Sequence, residues 1–370
     1  MNGTLESIEA KVAAGERLSR DDGLALLESD DLHALGRMAD HARRRRHGPT
    51  TWYIVNTHVN HTNGCVNRCR FCAFARDPAD PDAYLLDAAA VVERARPDVD
   101  AGATEVHVVG GLHPDLDLDA YLAIVAALRD AFPDVCIQAL TAVEVAYAAD
   151  KAGLDTSDVL ARLRDAGLTG LPGGGAEIFD PDVRRRICPR KIDADRWLDV
   201  HRHAHALGLP TNATMLYGHV ESAAHRVDHL LRLRDLQDET AGFAAFIPLP
   251  FHPRGTALAD RPGPTAVDDL RTMAVARLLL DNFDHLKAFW IMLGVDLAQV
   301  ALRFGADDLD GTVVREEITH AAGAQTPQRL GVDRLRRLVE GVGGAPTERD
   351  TLYRPIQRGE NPSEWTRGEP

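Results

Sequence analysis

Residues 52–74 read W-Y-I-V-N-T-H-V-N-H-T-N-G-C-V-N-R-C-R-F-C-A-F. The first nine, Trp52 to Asn60, are rich in aromatic and β-branched residues and read as a strand. Polar residues and a glycine stop the run, and Cys65, Cys69 and Cys72 follow as C-x3-C-x2-C. If the strand belongs to a parallel barrel, the thiols sit at its C-terminal mouth, where barrel enzymes carry their chemistry. Three thiolates on one tight loop hold three corners of a cubane iron–sulfur cluster. No fourth cysteine lies nearby, so one iron keeps a position for a ligand that is not protein, as catalytic metal sites do. A zinc site would show a matching distant pair, and none follows.

Outward from this stretch, strand-like apolar runs recur at 104–109, 135–140, 168–171, 210–216, 242–249, 286–293 and 299–304. Between most of them lie segments with apolar residues at i, i+3, i+4 and i+7: 118–131, 156–166, 193–207, 226–237 and 266–281. Gly153, Gly167 and Gly208 are positioned as helix C-caps. Eight strands alternating with helices imply parallel pairing and an α/β fold, a (β/α)8 TIM-type barrel over 52–310. Residues 1–51 form an N-terminal helical extension and 311–370 a C-terminal helical extension and tail, loosely ordered after about 355. The rival, a doubly wound open sheet, lacks support because no Gly-x-Gly-x-x-Gly follows the first strand.

The chain has 370 residues and a net charge of −14, which argues against a nucleic-acid or membrane-surface partner. No apolar run of about 18 residues is present, and a cytoplasmic enzyme is expected. Positive charge comes almost wholly from arginine; lysine stands only at 11, 151, 191 and 287. High-GC codon usage and salt adaptation explain that skew equally well. The run Arg43–Arg46 closes an N-terminal helix, where cations suit the dipole, and reads as a solvated helix end.

Polar and glycine residues gather where the strands end. Gly110 and Gly111 make a tight turn after strand two, and Glu144 follows strand three. Gly173, Gly174, Gly175 and Glu177 follow strand four; no Gly-Lys-Ser/Thr is present, so this is not a nucleotide P-loop. Thr214, Tyr217, His219 and Arg226 crowd the end of strand five and read as ligand contacts. Arg226 suits a bidentate pair with a carboxylate, and equally a surface helix. The acidic Asp307, Asp308 and Asp310 orient a ligand or cap the next helix. Cys136 reads as a packed core thiol, Cys188 carries no assigned role, and His201, His203 and His205 read as partly buried helix residues.

The C-x3-C-x2-C spacing, with Phe71 before the third cysteine, resembles the radical S-adenosylmethionine superfamily. The resemblance implies a 4Fe-4S cluster on Cys65, Cys69 and Cys72, with S-adenosylmethionine as co-substrate on its open iron. It makes Phe71, Gly110, Gly111, Glu177, Thr214 and Tyr217 cofactor contacts, although Leu112 stands where the family's glycine turn has an acid. Further strings are P-G-G-G-A-E-I-F, N-A-T-M-L-Y-G-H-V-E, L-Q-D-E-T and H-L-K-A-F-W-I-M-L-G. Over about 50–355 they look like the aminodeoxyfutalosine synthase family of menaquinone synthesis.

That likeness implies addition of the 5′-deoxyadenosyl radical to 3-[(1-carboxyvinyl)oxy]benzoate, with rearrangement and decarboxylation, giving 6-amino-6-deoxyfutalosine. It implies this small-molecule substrate and an electron donor such as flavodoxin or ferredoxin, with no nucleic acid and no membrane. Arg226, His61 and Glu144 are the expected catalytic groups. Deazaflavin synthase subunits and dehypoxanthine futalosine cyclase share the cysteine motif and stand as alternatives. An iron–sulfur electron carrier would complete its coordination with four cysteines and would need no such barrel.

Overall fold

The opening strand forms in two pieces, β1 (Thr50–Ile54) and β2 (Asn56–Val59), broken at Val55. The computed structural model describes residues 2–358. It continues with β3 (Glu105–Val108), β4 (Cys136–Ala139), β5 (Thr211–Tyr217), β6 (Phe243–Pro250), β7 (His285–Leu286) and β8 (Asp308–Gly311). All pairings between them are parallel: β2 with β3, β3 with β4, β5 with β6, β6 with β7, and β8 back to β1. Parallel bridges Gln138–Gly170 and Leu171–Thr211 supply a fourth stave, and Lys287–Asp308 joins the end of β7 to β8. The ring is thereby closed as a (β/α)8 barrel. A ninth strand, β9 (Ala345–Arg349), runs parallel along the other edge of β1.

The helices that cover the ring follow the apolar periodicity of the sequence. Leu118–Ala131 starts on an Asp117 side-chain cap and buries Tyr121, Ile124, Val125 and Leu128. Ala194–Ala206 and Ala266–Leu279 likewise match the expected spans, whereas the helix expected over 226–237 extends to Ala223–Thr240. Ahead of the barrel lie Asn2–Ala14, Arg20–Leu27 and Leu32–His47. The arginine run is a helix end with Arg44, Arg45 and Arg46 exposed, as expected, but it is also tied to its neighbours. Arg43 is buried, Arg45 donates to the Ala13 carbonyl at 3.3 Å, and Arg46 donates to the carbonyls of Asp281 and Phe283. Among the described residues no helix is long and apolar enough to cross a membrane. The tail from 359 to 370, part of the stretch expected to be loosely ordered, lies outside the described residues.

The last two strands differ from expectation. The apolar run 286–293 contributes only His285–Leu286 and then turns into the helix Trp290–Leu293. The run 299–304 is not a strand; Val295–Ala301 is helical. The eighth stave is instead Asp308–Gly311, the acidic stretch expected to orient a ligand or to cap a helix. A charged strand is tolerated in a barrel wall only if its charges are paired. Here Asp307 meets Arg277 and His285, Asp308 meets Arg349 at 2.7 Å, and Asp310 meets Lys287 at 3.1 Å.

Candidate active site

Beyond β2 the chain turns over Gly64 and presents the three cysteines on a loop pinned at both ends. Cys65 N–H donates to the Arg76 carbonyl at 3.0 Å and Cys72 N–H to the Cys69 carbonyl at 3.1 Å. All three thiols are free, half-buried and on the wall of a cavity of about 330 Å³ at the barrel mouth. Among the described residues, the one group of three ligand side chains with donor atoms within 4.8 Å of one another is His47, His285 and Asp307. The three cysteines do not form such a group. Burial pushes the Cys69 thiol up to about 12 and raises that of Cys72, so loading iron here must displace protons. Cys136 and Cys188 are buried and absent from the cavity wall. The donor set therefore fits a three-thiolate cluster with one open corner.

The walls next to the loop come from the strand ends. A Cβ on Gly111 would stand 2.2 Å from the Gly64 carbonyl oxygen and 2.9 Å from Cys65 Cβ. Gly110 is equally confined, by His61 and the Thr62 carbonyl. These two glycines let the turn after β3 pack against the cysteine loop, whatever else they contact. Glu144 forms the far half of a capping box with Thr141 and also accepts the Gly110 N–H at 3.2 Å. Burial raises its carboxyl to about 7. Glu177 faces the cavity in a left-handed backbone conformation (φ 50°), and Lys191 Nζ reaches its carboxylate at 2.5 Å. The same ammonium sits 5.2 Å from the Phe71 ring centre. Burial works against the Lys191 charge, but the Cys69 thiol and Glu177 lift its pKa above the ordinary lysine value. Thr214 lines the cavity and donates to the Gly173 carbonyl at 2.6 Å.

Of the expected site residues, Cys65, Cys69, Cys72, Phe71, Gly110, Gly111, Glu144, Glu177 and Thr214 share this cavity, whereas Arg226, Tyr217 and His61 do not. Arg226 is taken up by Glu221 at 2.7 Å and by Thr272, and its guanidinium lies 5.0 Å from the Tyr217 ring centre. Tyr217 is buried, with its hydroxyl donating to Asp269 at 2.7 Å. His61 stands behind Gly110, 3.7 Å from Glu144, and burial lowers its pKa to about 4, so it is neutral. His219 is likewise committed, to Glu221 at 2.9 Å.

The sequence passed over the floor of the cavity. Barrel interiors are normally filled by Val, Ile and Leu. Here β2 to β5, the residue following β7, and β8 supply His58, His107, Gln138, Asn212, Lys287 and Asp310. His58 and His107 are register partners with rings stacked 4.4 Å apart. Two of the four lysines of an arginine-rich chain, Lys191 and Lys287, line this one cavity. That imbalance was the available signal. By contrast His47, His285 and Asp307 lie outside the cavity wall, with Asp307 already engaged by Arg277.

Residues 59–233 match the Radical SAM superfamily and residues 240–361 the CofH/MqnC C-terminal region. The chain is 47% identical over 354 residues to an aminodeoxyfutalosine synthase of Thermus thermophilus, covering 95% of each. It is 43% identical over 348 residues to a 5-amino-6-(D-ribitylamino)uracil--L-tyrosine 4-hydroxyphenyl transferase of Methanopyrus kandleri, covering 91% of this chain and 94% of that one. The crystal structure of methylornithine synthase (PylB) superposes with a TM-score of 0.71 at 18% identity, over 92% of this chain and 97% of that one.

Proposed function

Because this chain belongs to the radical S-adenosylmethionine superfamily and is an enzyme of that kind, working with a 4Fe-4S cluster and S-adenosylmethionine, we propose that it makes 6-amino-6-deoxyfutalosine. The adenosyl group would be joined to 3-[(1-carboxyvinyl)oxy]benzoate, with aryl migration and loss of the enol carboxylate, as a step towards menaquinone. The observation that carries this choice is the 47% identity, over nearly the whole of both chains, to a relative named for that product.

When bound, the cluster and S-adenosylmethionine would supply radical chemistry, a 5′-deoxyadenosyl radical being released by one-electron cleavage of the sulfonium. What the chain adds is placement and exclusion. Cys65, Cys69 and Cys72 would hold the cluster, and Phe71, Gly110, Gly111, Glu177 and Thr214, which line the same cavity, would form the wall against which the co-substrate rests. The Lys191–Glu177 pair fixes the wall beside the thiols, because a buried carboxylate without a partner would be costly. Apolar Ile247, Leu249, Phe251, Phe289 and Met292 close the remaining side and keep water from the reacting carbon. An alkene held about 3–3.5 Å from that carbon reacts by proximity. A flavodoxin- or ferredoxin-type protein is the proposed reductant.

The second reading is aryl transfer from tyrosine to a ribitylaminouracil, favoured by the 43% identity to the archaeal transferase. Product analysis separates the two. Reduced enzyme given S-adenosylmethionine and the enol ether should incorporate the adenosyl carbons into product, and Cys72→Ala should give none. Stoichiometric free 5′-deoxyadenosine, or turnover of tyrosine with the uracil instead, would refute the addition.

A further inference from the structure

Lys287 is a buried cation whose donors are only partly used. Its side chain is 5% exposed, and Nζ makes one hydrogen bond, to Asp310 Oδ1 at 3.1 Å. An ammonium carries three N–H bonds, so two of them have no partner among the described residues. The neighbouring His58 is also buried, and its Nε2 has no hydrogen-bond partner. Both residues line the same cavity. Buried donors left unpaired cost far more than they gain unless a ligand oxygen meets them.

The surroundings aim this cation rather than neutralise it. Asp310 is shared, since Arg349 Nη2 stands 3.9 Å from the same oxygen that takes the Lys287 hydrogen bond. Its backbone is held in a left-handed conformation (φ 63°), with its N–H donated to Asp308 at 2.6 Å. Of the other nearby carboxylates, Glu105 is taken by Asn56 and Thr351, and Asp308 by Arg349 and Tyr353. The other cavity cation, Lys191, is already paired with Glu177 at the thiol end.

We infer that Lys287, aimed by Asp310 and flanked by His58, is the anion subsite that grips the carboxylate of the substrate's aromatic ring and so sets its orientation in the barrel. The assignment rests on the proposed function. The enol-ether carbon must face the cysteine end, and the ring carboxylate is then the terminus that points down to the floor. A charge-assisted hydrogen bond to a buried lysine is the recognition that rejects an analogue lacking that group.

The test compares the wild type, Lys287→Met and Lys287→Arg on the dicarboxylate and on its analogue without the ring carboxylate, reading KM and kcat separately. In the wild type, removing the ring carboxylate should raise KM by about 10–100-fold, the loss of one charge-assisted bond. Lys287→Met should raise KM for the dicarboxylate by a similar factor and no longer discriminate between the two compounds. Lys287→Arg should restore part of the discrimination. Unchanged KM in Lys287→Met, or the same discrimination in both proteins, overturns the assignment, as does a wild type indifferent to the ring carboxylate should the methionine variant fail to fold. If the wild type is inert on the enol ether, the proposed function fails instead. Calorimetry with 3-hydroxybenzoate then decides the subsite alone: equal affinity for wild type and Lys287→Met refutes it, and about tenfold weaker binding by the variant supports it.

Discussion

Glu144 carries two roles at once: it closes the capping box of the helix Ala142–Ala152 and ties that helix to the glycine turn over the cysteine loop. Burial lifts its carboxyl from 4.5 to about 7, against hydrogen bonds from Thr141 and Gly110 that favour the anion. A carboxyl that binds its proton more tightly folded than unfolded adds its full stability below 4.5 and loses it as pH rises through about 7. Glu144→Gln keeps the outline without the ionisation. Between these pH values the wild type should lose up to about 3 kcal/mol more stability than the variant, read by thermal melting across pH. Parallel curves for the two proteins would contradict it. Arg226 shows the limit of reading single residues from sequence: a guanidinium at a strand end looks like a carboxylate clamp, yet Glu221, only five positions earlier, already occupies it.

The turn after β3 and the cysteine loop are in backbone contact, so the geometry of one element sets the other. Gly111→Ala places a methyl group 2.2 Å from the Gly64 carbonyl oxygen, backbone that cannot rotate away. We expect this change to cost about 1–3 kcal/mol and to lower the iron retained per chain after anaerobic reconstitution. Wild-type iron content together with an unchanged urea midpoint would refute the coupling. The cysteine loop was legible because three thiols at fixed spacing have few structural uses. So were the helices, whose apolar stripes face one way. The eighth strand was not legible: D-L-D-G has no apolar alternation. Its acids and the preceding Asp307 are paired by Arg277, Lys287 and Arg349, the first from a helix and the last from β9. Conversely 299–304 is apolar because a helix end packs there, and periodicity over six residues does not separate the two cases.

For the whole molecule, closure of the ring and closure of the site are the same event. β9 lies along β1, and its last residue, Arg349, reaches Asp308 at 2.7 Å with both side chains fully buried. Removing one partner of such a pair strands a buried charge. Arg349→Ala should therefore destabilise the chain by about 3–5 kcal/mol, seen as a lower urea midpoint, and a loss under about 1 kcal/mol, the worth of a surface pair, would refute it. The division into residues 1–51, 52–310 and 311–370 stays a proposal of organisation. The contacts already cross it, since β9 belongs to the last part and Arg46 of the first holds carbonyls of the second.

The position of Arg349 also orders events during synthesis. The thiols at 65–72, proposed to bind iron, leave the ribosome early, whereas the residue that braces the eighth strand emerges some 280 positions later. A nascent chain thus exposes reactive sulfur long before it has a finished vessel around it. The wall that Arg349 braces can form only after the segment carrying that residue has been made.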